Sequence, residues 1–181
     1  PIAPIVLCAL IEVNASSAPT NTWLLSPPAV GSWSNTVNWA NGLPTNVYGD
    51  VAYINNGGTA NITQDIVAWE IVLGNQLGDI GKLTQSMSKL LLYDEVYVGN
   101  FGSGLYEFSG GEFLSGDVLV AAQPGSVGTL NISSGSFRPG YLMLGRRFGP
   151  DGGGGSAALV QTGGIVEVFY AGVYLAGDNT Y

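Results

Sequence analysis

GTLNISSGSF, residues 128–137, reads as a strand, a small polar corner and the start of another strand. A close copy, GLYEFSGGEF, lies upstream at residues 104–113. Working outward, a short strand of the form aliphatic, large, aliphatic, small recurs as IVLG (71–74), VYVG (96–99), VLVA (118–121), LMLG (142–145) and VYLA (173–176), at spacings of 25, 22, 24 and 31 residues. A second strand follows each of the first four: KLTQ (82–85), LYEF (105–108), TLNI (129–132) and ALVQ (158–161). Corners SMS, SGG, SSG and TGG come next, and third strands begin at Leu90, Phe113, Phe137 and Ile165.

Similarity that returns every third strand, at a period of 22 to 25 residues, predicts stacked repeats rather than an antiparallel sandwich, whose strands also recur at short intervals. The expected fold is all-β: a single-stranded right-handed parallel β-helix of about five to six coils. Alternate side chains then point inward. Leu83, Leu105, Leu130 with Ile132, and Leu159 are expected inside, and Gln85, Asn131 and Gln161 are expected to form amide ladders between coils. Residues 50–181 carry the repeats, DVAYINNGGTANIT (50–63) making a first irregular coil. Residues 21–49, with Trp23, Trp33, Trp39 and three prolines, read as a cap over its open end.

Composition narrows the function. Thirteen acids against five bases give a net charge of −8, so the chain lacks the cations that nucleic acid and anionic membranes require. The absence of histidine removes serine-histidine and cysteine-histidine chemistry and the commonest zinc ligand. The single cysteine, Cys8, allows no internal disulfide. Neither a metal nor a cofactor is expected: no D-x-D-x-D-G spacing accompanies Asp151 or Asp178, and residues 148–156, FGPDGGGGS, lack the lysine of a phosphate-binding loop.

The first 13 residues, PIAPIVLCALIEV, are nearly all apolar and too few to span a membrane as a helix. They read either as a signal remnant or as an extended strand, residues 1–20 forming a separate N-terminal segment. In the second reading Ile2, Ile5, Leu7, Cys8, Leu10 and Val13 dock on a neighbouring subunit, whose open C-terminal coil offers Val173, Tyr174 and Leu175. Asn14, Asn61 and Asn131 match the glycosylation sequon.

The run 31–63, GSWSNTVNWANGLPTNVYGDVAYINNGGTANIT, resembles the W-x(4)-NW-x-x-G-x-P…D-x-A-x-I…G opening of bacterial secreted β-solenoid proteins with autotransporter-associated β-strand repeats, and of exosortase-sorted (PEP-CTERM) exoproteins. Trp33, Asn38, Trp39, Gly42, Pro44, Asp50, Ala52 and Ile54 carry the match, and the later units resemble that group's G-x-L-x-I-x-G-G repeats. The resemblance implies secretion and a solenoid used for adhesion, matrix or fibre building. It brings no catalytic residues.

Parallel β-helices also include sugar-cleaving enzymes, which gather carboxylates on one face beside a cation. Glu95 and Asp117 each precede a recurring strand and align on adjacent coils in this reading, with Arg138, Arg146, Arg147 and Asp151 as further candidates. As ordinary residues, the two acids are solvated corners and Arg146-Arg147 with Asp151 a surface ion pair. The resulting expectation is a secreted, non-catalytic structural protein that assembles with identical subunits into an extracellular fibre or surface layer. The alternatives are a carbohydrate-active β-helix enzyme and a glycan-binding module using exposed Tyr97, Tyr106 or Tyr174.

Overall fold

Short strands with β-branched and aromatic residues at alternate positions, separated by glycine-bearing corners, fold here into parallel sheets. The structure is a computed structural model that describes residues 20–146, 153–170 and 172–175. The strands are β1 (Thr20–Thr22), β2 (Val30–Ser32), β3 (Val51–Ile54), β4 (Asn56–Ile62), β5 (Ile66–Ala68), β6 (Glu70–Leu73), β7 (Ile80–Gln85) and β8 (Lys89–Leu92). They continue with β9 (Glu95–Val98), β10 (Ser103–Phe108), β11 (Glu112–Val120), β12 (Val127–Ile132), β13 (Ser136–Leu144), β14 (Ser156–Gln161), β15 (Ile165–Val166) and β16 (Val173–Leu175). A 3-10 turn at Thr36–Asn38 is the only helical element among the described residues.

Two parallel sheets hold these strands. The six-stranded sheet runs β14-β12-β10-β7-β4-β2, and the ten-stranded sheet runs β1-β3-β6-β9-β11-β13-β15, with β5, β8 and β16 attached beside that path. Each strand thus pairs with its counterpart in the next repeat rather than with its neighbour in sequence. The expected division into three strands per repeat is only partly kept. β11 and β13 run unbroken from one face into the next, which joins two of the faces into one curved sheet.

The core lies between the sheets. Leu83, Leu130 and Ile132 point into it as expected, and Leu159 packs against it half-buried. Leu105 does not point inward. It pairs with Lys82 and Thr129 on the outer side, while Tyr106 and Phe108 point inward with Leu83 and Leu130. The phase is set by an inward column of small residues, Gly81, Gly104, Gly128 and Ala157. A Cβ on Gly104 would stand 2.1 Å from the Gly99 nitrogen and 2.6 Å from the Val98 carbonyl carbon. Only the absent side chain lets the two strands approach here, so the residue two places on must be the one that fills the core.

Aromatic rings dominate that core. Phe113 and Phe137 stack at 4.2 Å between centroids, and Tyr106 meets both at 5.8 and 6.1 Å. The buried Tyr106 hydroxyl donates to Gln85 Oε1 at 2.6 Å, while Gln85 Nε2 donates to the Ser88 and Glu112 carbonyls. Gln85 is therefore a core residue and not part of an amide ladder. Asn131 lies one register position away from it, beside Glu107 and Val160. An asparagine ladder exists elsewhere: Asn100 Nδ2 donates to Asn75 Oδ1 at 3.2 Å, and Asn55 Oδ1 accepts from the Asn75 backbone.

Trp23, Trp33 and Trp39 are buried together, edge-to-face at 4.7 and 4.9 Å, with Trp39 Nε1 donating to the Trp33 carbonyl. β1 and β2 continue the two sheets from this end.

Candidate functional site

On the outer side of the ten-stranded sheet, three successive strands each begin with, or carry near their bend, an acidic residue in register. Glu70 opens β6 and Glu95 opens β9, while Asp117 of β11 pairs with Glu95. Outward residues repeat with the strand spacing of about 4.8 Å, so like charges are forced together. Asp94, at the corner before β9, joins them: carboxylate oxygens of Glu70, Asp94 and Glu95 all lie within 4.8 Å of one another. None of the described ion pairs reaches this group, since Lys82, Lys89 and Arg138 engage Glu107, Glu112 and Glu167.

Burial and crowding raise the proton affinity of the cluster. Partial burial, then the Asp94 charge, pushes Glu70 up to about 7. Glu95 is pushed up to about 8 by burial, by a hydrogen bond with Asp94, and by the charges of Asp94 and Glu70. Asp117 is raised by burial; the Tyr141 N–H it accepts at 3.1 Å opposes that shift, and Asp94 adds to it. Tyr97 is raised by burial and then by the four acids around it, Glu95 foremost.

Aromatic rings flank the carboxylates on both sides. Trp69 and Tyr93, at the bends before Glu70 and Asp94, lie parallel at 6.3 Å, and Tyr48 meets Trp69 edge-on at 4.9 Å. Tyr48 is 80% exposed and Tyr93 55%. On the other side the outward column runs Tyr53, Val72, Tyr97, Leu119, Met143 and Tyr174, two residues along each strand from the acids. The acids thus lie between this row of rings and a mixed aromatic and aliphatic column.

Of the sequence-predicted residues, the structure brings Glu95 and Asp117 together, half-buried rather than solvated. Glu70 and Asp94 escaped notice: Glu70 lies in a differently spelled first repeat and Asp94 in a corner. Arg138 lies away from them, bonded to Glu112 and Glu167, and Arg146 sits over the Tyr174 ring at 5.7 Å. Arg147, Asp151 and Asp178 lie outside the described residues, as do Ile2, Ile5, Leu7, Cys8, Leu10, Val13 and Asn14. Tyr106 is fully buried and offers no platform for a sugar; Tyr97 and Tyr174 are half-buried. Asn61 and Asn131 face outward from mid-strand, Asn61 Oδ1 accepting from the Thr84 hydroxyl. Val173, Tyr174 and Leu175 form β16, which pairs with β13.

Glu70, Asp94 and Glu95 could each lend an oxygen to a hard cation, though calcium takes six to eight and would draw the rest from water. The raised carboxyls also set a pH dependence. Each binds its proton more tightly folded than unfolded, so their contribution is fully present below about pH 4.5 and is lost as the pH rises through 7 to 8. Stability is expected to fall by about 1–2 kcal/mol between pH 5 and pH 8, a figure reduced for solvent screening at half-exposed groups. Denaturant titrations at several pH values measure this, and Glu95→Gln should flatten the slope. A slope unchanged by that substitution would place the effect elsewhere. No protein-family model, curated protein or solved structure matches the chain.

Proposed function

We propose that the chain is a non-catalytic structural protein: a right-handed, single-stranded parallel β-helix of five to six coils, exported from a bacterial cell, that builds a fibre or surface layer. The handedness follows from the strong right-handed bias of connections between parallel strands in one sheet. Export rests on the resemblance of residues 31–63 and the later repeats to secreted solenoids. In this reading the buried tryptophans close the first coil.

The observation that carries the assembly is the state of the last described coil. Ala157, Leu159, Val166 and Val168 pack against the core only half-buried, and among the described residues β14, β15 and β16 each have a single partner strand. Ile165 is 61% exposed, Val173 47% and Leu175 41%. An uncovered parallel edge over an apolar interior is a template for another strand. The occupant in this proposal is a second copy, contributing its apolar residues 2–13 as an added strand. Donor and acceptor surfaces differ, so the contact is head-to-tail and propagates unless it closes into a ring.

Electron microscopy of the purified chain tests this. Filaments are expected from the full chain, and monomers with intact β-structure from a chain lacking residues 1–18 or carrying Val173→Lys with Leu175→Lys. Filaments of normal length from both variants would overturn the proposal. Because the fold carries no catalytic role in this reading, incubation with polygalacturonate should release no sugars. Cleavage that disappears in Asp117→Asn or Glu95→Gln would replace the structural reading by an enzymatic one.

A further inference from the structure

Three tyrosines gather on the outer side of the ten-stranded sheet near its last described coil. Tyr141, in β13, meets Tyr170 at 5.4 Å between ring centroids and Tyr174 at 6.0 Å. Among the described residues these are the only contacts between two tyrosine rings. Register brings the first pair together. The chain after β15 follows β13 by backbone bonds: the Phe169 N–H donates to the Pro139 carbonyl and the Tyr170 N–H to the Gly140 carbonyl. Gly140 shapes the seat, since a Cβ there would stand 2.9 Å from Tyr170 Cε2. The ring lies against the strand because that side chain is missing. Cε2 is a ring carbon ortho to the phenol oxygen. The two partners differ in access: Tyr170 is 72% exposed, whereas Tyr141 is half-buried and packs on Leu119, Ala122 and Met143. Tyr174, the other neighbour, is half-buried beneath Arg146.

An exposed phenol held against a second, fixed phenol is placed for oxidative coupling. We propose that Tyr141 and Tyr170 form a cross-linking site, joined through ring carbons ortho to their hydroxyls, with hydrogen peroxide and a haem peroxidase as oxidant. Each phenol gives up one hydrogen atom, and the two radicals combine at their ortho carbons. The hydrogens on those carbons then move to the oxygens, which restores both phenols. One peroxide takes up the two abstracted hydrogen atoms and leaves as two waters, so the chain is lighter by two hydrogens. The new bond ties the last described coil to the strand before it. It closes a loop from residue 141 to residue 170, and a cross-link of that span restrains the unfolded chain. With Cys8 as its single cysteine, the chain has no internal disulfide to serve this purpose. Where the chain meets peroxide rests on the export proposed above. The geometry of the pair does not, and the experiment supplies the oxidant.

Treatment of the folded full chain with hydrogen peroxide and a haem peroxidase tests the assignment. Chains are separated in denaturant before weighing, so the reading does not depend on whether filaments form. The expected product is a single chain lighter by two hydrogens, with dityrosine fluorescence and with residues 141 and 170 in one linked pair of peptides. Its unfolding midpoint should lie several degrees above that of the untreated chain. Tyr170→Phe and, separately, Tyr141→Phe should each lower the yield of linked single chain at least tenfold. Both keep the ring and its packing, and far-ultraviolet spectra confirm the fold. Tyr93→Phe removes another exposed phenol and should change the yield less than twofold. Chain treated after unfolding should lose the preference for this pair. No linked single chain, links that map to other tyrosines, coupling only between chains, or an undiminished yield from Tyr170→Phe would overturn the proposal.

Discussion

Tyr106→Ala is expected to destabilise the protein by about 3–5 kcal/mol, the cost of deleting a fully buried aromatic ring. The ring touches Phe108, Phe113 and Phe137, so its removal opens a cavity that three other rings cannot close without leaving their own contacts. It also takes away the donor to Gln85 Oε1, leaving a buried amide oxygen without its bond. Tyr106→Phe isolates that second effect and should cost about 1–3 kcal/mol. Leu105→Ala, one residue earlier, should cost less than about 1 kcal/mol, because its side chain lies on the outer face. Denaturant midpoints of the three variants decide the register. A larger loss for Leu105 than for Tyr106 would mean that the strand is turned over, since a shift of one residue exchanges the two faces.

Gly104→Ala should be as damaging with a far smaller change in volume. The added Cβ meets backbone atoms of Val98 and Gly99, which cannot rotate away as a side chain would. Overpacking a core ordinarily costs about 1–3 kcal/mol, and a clash with the main chain of the next face sits at or above the upper end. Gly125→Ala is the comparison. Gly125 also resists substitution, with φ at +82°, but a Cβ there meets nothing within 4 Å. Its cost is the left-handed conformation alone, roughly 1–2 kcal/mol. Thermal unfolding of the two variants separates crowding from conformation: Gly104→Ala should lose several degrees more than Gly125→Ala. Equal midpoints would mean that the sheets separate at Gly104 without penalty.

Much of this fold is written in the repeat. Period, parallel stacking and the inward placement of Leu83, Leu130 and Ile132 follow from similarity that returns every third strand and from two-residue alternation. The face on which residues 103–108 fall was legible too, but from the glycines rather than the leucines. Gly81, Gly104 and Gly128 share one register position, and reading phase from them assigns Tyr106 to the core. Hydrophobicity misleads at Leu105 because a half-exposed outer face tolerates an aliphatic side chain, whereas no Cβ fits at Gly104.

What only the tertiary structure decided is how separate repeats converge. Glu95 and Asp117 share a pattern position, but Glu70 begins a strand in a repeat of different spelling and Asp94 occupies a bend. Their oxygens meet because parallel register places one strand start above another, and because the bend turns Asp94 toward them. Tyr48, Trp69 and Tyr93 are far apart in the chain and align for the same reason. Local sequence sets which side of a strand a residue occupies. The distance between residues on different strands is set by sheet register and corner geometry, which depend on contacts made across the whole stack.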